Sequence, residues 1–147
     1  DVRDVAAFLL DRAERGTGDR FLVSSRPGVT TFGELLAECA RVTGADAEPV
    51  WLNDRFLLEQ GVAPWNELPL WAPDQPAFAG VFRLSTEKAH AAGLRCRPVA
   101  ETVRDTWAWL GEAGGLADAP ATNRGAVPRP GIDAAKEARI LAAWDAR

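Results

Sequence analysis

Residues 82–110 read FRLSTEKAHAAGLRCRPVAETVRDTWAWL, and the reading of their first helical turn decides what kind of fold this chain has. Ser85 and Lys88 stand at the S-x-x-K spacing of serine enzymes, in which a lysine one turn away takes the proton from a serine nucleophile. The same four residues also open an ordinary helix, because serine is a favoured N-cap whose hydroxyl accepts a free backbone N–H of the first turn. Penicillin-recognising enzymes with S-x-x-K also carry S-D-N and K-T-G, and neither triplet occurs here. Ser85 is therefore read as a helix cap, with Lys88 on the turn that follows.

Outward from this point the chain alternates helices with short apolar runs. STEKAHAAGL (85–94) reads as a short helix, and VAETVRDTWAWLGEAGG (99–115) as a long one with Val99, Val103, Thr106, Trp107 and Leu110 near one face. The stretch 111–131 is rich in Gly, Pro and Ala and reads as a flexible connector. Residues 132–147 close the chain as an amphipathic helix carrying Ile132, Ile140, Leu141 and Trp144. Towards the N-terminus, residues 1–16 read as a helix capped by Asp4, with Val5, Phe8 and Leu9 on its apolar face and Gly16 as its stop. TTFGELLAECARVTG (30–44) is a helix with capping-box spacing between Thr31 and Glu34 and a stripe of Leu35, Leu36, Cys39 and Val42. NDRFLLEQG (53–61) is a short helix capped by Asn53 or Asp54. RFLVSS (20–25), EPVWL (48–52) and VFRL (81–84) read as short strands. The expected fold is α+β, with five or six helices around two or three short strands.

Composition narrows the function classes. The chain has 147 residues, 47% hydrophobic and 26% charged, which is the composition of an ordinary globular domain. A net charge of −4 speaks against nucleic acid, whose phosphates need a basic face. Two cysteines, Cys39 and Cys96, are too few for a disulfide framework or a structural zinc site. A reducing, cytoplasmic setting is the default, and no apolar run is long enough to span a membrane. The chain lacks methionine and opens at DVRDVAAFLL, so it is read as the inside or end of a longer polypeptide.

Residue chemistry points to binding rather than catalysis. His90 is the lone histidine, and its neighbours Ala89, Ala91 and Ala92 suggest a solvated helix face. Neither a G-x-G-x-x-G nor a G-x-x-x-x-G-K-[ST] phosphate cradle is present. Arg26, in the turn Arg26-Pro27-Gly28, stands within reach of a ligand. The strongest ligand feature is VAPWNELPLWAPDQPAFAG (62–80), which holds four of the ten prolines. Proline at this density denies a regular helix or a central strand. Trp51, Phe56, Trp65, Trp71, Phe78 and Phe82 cluster in and around it, and such rings either plug a core or line a pocket.

Three segments, taken in order, resemble the C-terminal part of the extended short-chain dehydrogenase/reductases, the NAD-dependent epimerase/dehydratase family. DVRDVAAFLL is similar to the family's h-V-D-D-V-A element. GDRFLVSSRPGVTTFGELLAECARVTG is similar to its following strand and a helix opened by Thr or Ser. STEKAHAAGLRCRPVAETVRDTWAWL resembles the signature D-x-S-K-A-x-x-x-L-G-[FW]-x-P followed by T-x-x-W, through Lys88, Ala89, Gly93, Leu94, Pro98, Thr106 and Trp109. Ser85 stands where the family has aspartate, a change that keeps the N-cap role.

The resemblance covers about residues 1–110. It implies a substrate-binding lobe over 1–110, the connector 111–131, and the helix 132–147. It implies, further, a partner Rossmann half that holds NAD or NADP, with none held by this chain alone. Catalysis in the family uses Y-x-x-x-K with Ser or Thr, and this chain has no tyrosine. The isolated chain is thus expected to be inactive, with no catalytic, cofactor-binding or metal-ligating residue of its own, and the family leaves room for an oligomer. Nucleotide-sugar members carry an arginine before the signature, whereas this chain has WAPDQPAFAGVF there and Arg83 only nearby. The expected substrate is a small carbonyl or hydroxyl compound bound by Trp51, Phe56, Trp65, Trp71, Phe78 and Arg83. The alternative reading is a non-catalytic binding or interaction module derived from the same lobe.

Overall fold

Helix starts in the computed structural model follow the capping chemistry of the sequence. The structure describes residues 1–81, 83–112 and 131–147. Helix α1 (Val2–Glu14) begins after Asp1, whose carboxylate accepts the Arg3 N–H at 2.9 Å. The cap expected at Asp4 therefore falls on Asp1, and Asp4 is spent on a long-range contact described below. Helix α2 (Phe32–Thr43) has the complete capping box: Thr31 Oγ1 accepts the Glu34 N–H at 3.2 Å and the Glu34 carboxylate accepts the Thr31 N–H at 2.7 Å. The Thr31 N–H foremost, and then the Thr31 hydroxyl that donates to the same carboxylate at 3.0 Å, hold the Glu34 carboxyl below the usual carboxylate range. Gly44 ends α2 at φ 69°, a left-handed position that suits glycine.

Helix α3 (Asp54–Glu59) is capped by Asn53, whose Oδ1 accepts the Phe56 N–H at 2.9 Å, which decides between the two caps expected there. Helix α4 (Glu87–Ala91) starts one residue later than expected. Thr86, not Ser85, holds its N-cap position, and no side chain caps it. Helices α5 (Val99–Glu112) and α6 (Ala134–Asp145) complete the six α-helices among the described residues, the last capped by Asp133.

The helical part of the expected α+β fold is present and the sheet part is not. Among the described residues there is no sheet, and the one pairing is an isolated bridge between Pro64 and Leu68. RFLVSS and EPVWL meet no neighbouring strand. A period-2 pattern specifies which side chains point inward, but a ladder needs a second chain segment to accept its N–H groups. In RFLVSS the pattern survives without the ladder: Phe21 and Val23 pack inward while Leu22 is exposed. Of VFRL, Phe82 lies outside the described residues, as does the connector over 113–130.

Contacts divide the chain into two discontinuous units, Asp1–Glu48 with Phe82–Ala119 and Pro49–Val81 with Pro120–Arg147. In the first, Phe8, Ala89 and Leu94 are buried, with Phe21, Val23, Ala92 and Cys96 packed around them. The Phe8 and Phe21 rings meet edge to face with centroids 5.2 Å apart. Helix α2 packs on α5 in the same unit. In the second, Phe56, Leu57, Val62 and Ile140 are buried, so α6 joins α3 in one core.

Helix α1 is apolar on more than its inner side. The expected face of Val5, Phe8 and Leu9 splits: Phe8 is buried, Val5 is partly buried, and Leu9 is 56% exposed. Val2, Ala6, Leu9 and Ala13 recur at helical spacing as a second, exposed stripe, with exposed Leu10 beside it.

Candidate functional site

The second unit holds most of the residues expected to bind a ligand, and its geometry follows from α3. Phe56 points into the core at 2% exposure, 5.0 Å from the Trp144 ring centroid, with the Arg147 guanidinium 4.1 Å over its face. Trp71 packs against the same cluster and donates its indole N–H to Asp54 Oδ1 at 2.9 Å. The other Asp54 oxygen accepts the Asp74 N–H at 2.7 Å, so one carboxylate ties the proline-rich segment to the start of α3. Phe78 is partly buried in a single 3-10 turn, Pro76–Phe78. Trp51 is exposed at the surface. Phe56 and Trp71 thus share one cluster. Arg83 belongs to the first unit, is exposed, and has no hydrogen bond or ion pair among the described residues.

Trp65 and Leu70 occupy left-handed backbone positions, at φ 65° and 66°. Bulky side chains are rare there. Between them Glu67 organises the segment. Its carboxylate accepts the Ala63 N–H at 2.7 Å and pairs with the Lys136 ammonium at 2.7 Å, which itself donates to the Gly61 carbonyl. The Lys136 ammonium foremost, and then the Ala63 N–H, hold the Glu67 carboxyl below the usual carboxylate range.

The grooves among the described residues include two open ones. One of about 530 Å³ in the second unit runs along Asp54, Arg55, Leu58, Glu59, Asp74 and Gln75. One of about 470 Å³ in the first unit lies between α1, at Asp4, Asp11, Arg12 and Arg15, and the turn Ala91-Ala92-Gly93. Neither is lined by any of the six residues expected to bind substrate.

The Ser85–Lys88 pair is taken apart. The Lys88 ammonium donates to Asp19 Oδ1 at 2.9 Å and sits 4.9 Å over the Phe21 ring. A lysine turned to another carboxylate is not placed as a base for serine, and the exposed Ser85 has no hydrogen bond among the described residues. A fluorophosphonate or a fluorescent penicillin is accordingly expected to leave Ser85 unlabelled, as read by intact mass. Stoichiometric acylation lost in Ser85→Ala would restore the hydrolase reading.

His90 does not lie on a solvated face. It is 9% exposed and its Nε2 lies 3.1 Å from the Ser24 carbonyl, which ties α4 to the 20–25 segment. The reversal has a plain cause: His90 and Ala89 fall on the side of this short helix that meets the Phe8 cluster. Arg26 is paired with Glu87 at 3.1 Å. Cys39 and Cys96 are free and partly buried, and no group of three or more His, Cys, Asp or Glu suited to a metal occurs among the described residues.

One cluster escaped the sequence reading. Asp4 accepts both the backbone N–H and the Nε–H of Arg97, at 2.9 and 2.8 Å, while the nearly buried Asp1 carboxylate also takes the Thr102 hydroxyl at 2.7 Å. These bonds span 93 and 101 positions, beyond the reach of any local spacing rule. The Arg97 side chain, and next its backbone N–H, hold the Asp4 carboxyl below the usual carboxylate range. No helix among the described residues is long and apolar enough to cross a membrane. In comparison with known proteins, no family model matches the chain, and no curated protein or solved structure matches it either.

Proposed function

We propose that this chain is the substrate-binding portion of an NAD(P)-dependent epimerase, dehydratase or reductase acting on a small carbonyl or hydroxyl compound. A Rossmann half holds the cofactor and supplies the Tyr-x-x-x-Lys chemistry. The observation that carries this reading is the unfinished apolar surface of the first unit. The outer stripe of α1 and the unpaired RFLVSS segment, with Leu22 outward, both lie in the segments that resemble the family. A helix apolar on both sides, next to a strand-patterned segment without a ladder, suits a second structural layer laid against it. A non-catalytic module derived from the same lobe shares that surface and differs only in what is laid there.

The test is the reading frame upstream of Asp1 and its product. The expected frame encodes a G-x-G-x-x-G after a strand and a Y-x-x-x-K. Its product should bind NADH or NADPH with energy transfer from tryptophan to nicotinamide, and the 147-residue chain alone should not. A frame that begins within a few residues of Asp1 overturns the proposal. A longer frame with a Rossmann fingerprint but no Y-x-x-x-K selects the non-catalytic module.

A further inference from the structure

The groove of the first unit combines an apolar lining with charges that are unevenly spent. Its volume of about 470 Å³ falls in the range of small-molecule sites. Buried Phe8 lines it, together with Ala7 of α1 and Ala91 and Ala92 at the end of α4. Gly93 follows at φ 105°, and a Cβ placed there would meet no atom within 4 Å. The turn therefore leaves bare backbone beside open space.

Charge selects the ligand class. Four of the five charged groups along the groove already have partners. Asp4 accepts the Arg97 Nε–H at 2.8 Å. Asp11 accepts the Nε–H groups of Arg12, at 3.0 Å, and of Arg15, at 2.8 Å, and the Arg12 guanidinium lies 5.5 Å over the Phe8 ring. Arg95 is exposed and has no hydrogen bond or ion pair among the described residues. One open guanidinium fork beside an apolar surface matches one carboxylate carrying an apolar body.

We propose that this groove binds a small monocarboxylate, with its apolar body against Phe8 and the alanines and its carboxylate on the Arg95 guanidinium. The site is separate from the surface given to the Rossmann half. Asp4, Asp11 and Arg15 lie on the side of α1 away from the stripe of Val2, Ala6, Leu9 and Ala13. The experiment titrates the 147-residue chain with hexanoate and, in parallel, with hexanamide, acetate and inorganic phosphate, followed by ¹H–¹⁵N correlation spectra.

The expected result is a saturable hexanoate shift centred on the Ala92 and Gly93 amides and the Arg95 Nε–H. Hexanamide keeps the body without the charge and acetate keeps the charge without the body, so each should bind about tenfold more weakly. Arg95→Gln should also lose about tenfold, with unfolding unchanged because no internal partner is lost. Ala91→Phe, at an exposed position on the groove, occupies the space of the body and should lose about tenfold as well. No saturable shift, shifts centred on the exposed Leu9 and Leu10, equal binding of hexanamide or phosphate, or unchanged affinity in either variant each overturns the proposal. The wild-type shift map and the ligand comparison decide even if a variant fails to fold. Hexanoate binding here needs no Rossmann half, and NADH binding by the longer chain needs no Arg95, so each proposal fails by its own measurement.

Discussion

Phe56→Ala is expected to destabilise the protein by about 3–5 kcal/mol, the usual cost of truncating a buried phenylalanine. The ring is 2% exposed, packs with Leu57, Val62 and Ile140, stacks beside Trp144 and carries the Arg147 guanidinium over its face. Alanine would open a cavity where three separate chain segments meet. With native stabilities of about 5–15 kcal/mol, such a loss removes a large share of the total. Guanidinium denaturation followed by tryptophan fluorescence is the measurement, since Trp71 and Trp144 report from this cluster. A loss below about 1 kcal/mol would mean the ring is not a core residue and would return it to the ligand-binding set.

The second large effect is expected at Asp4. Asp4→Ala should cost about 2–3 kcal/mol, because Arg97 loses the acceptor of both its backbone N–H and its guanidinium. The Asp4 side chain is 10% exposed and that of Arg97 is 25%, so the figure stays below that for breaking a fully buried pair. The sign with pH follows from the lowered carboxyl. Asp4 binds its proton more weakly folded than unfolded, so its contribution is complete above roughly pH 4 and is lost as the pH falls through the folded value. Glu34 and Glu67, also lowered, act in the same direction. Urea midpoints at pH 7 and pH 3 check this: the gap between wild type and Asp4→Ala should narrow at pH 3. A gap that stays constant would show that the Asp4 charge plays no part.

These two residues share a lesson. Each carried a sequence-level role, Asp4 as a helix cap and Phe56 as a ligand contact. Asp4 caps nothing because Asp1 stands at the N-cap and Arg97 arrives from the far end of the unit. Phe56 fills the core because α6 brings Ile140 and Trp144 against it. In both cases the deciding partner lies tens of residues away. Trp65 is different: its identity and its proline-rich surroundings were legible, but its left-handed backbone at φ 65° was not, since no local pattern calls for a bulky residue there.

What the residues determined by themselves is local. The Thr31–Glu34 capping box, the Asn53 cap and the glycine stop at Gly44 act across three or four positions. Their hydrogen bonds close within one helical turn, whatever the rest of the chain does. Helices α2 and α3 were readable for that reason. The strand-patterned runs were not realised as a sheet, since alternation selects a face but a ladder needs a neighbour. The burial of His90, the separation of Lys88 from Ser85 and the role of Phe56 were decided only by tertiary structure. Each depends on which distant group reaches it first, Ser24, Asp19 or Trp144, and no short-range spacing specifies that encounter.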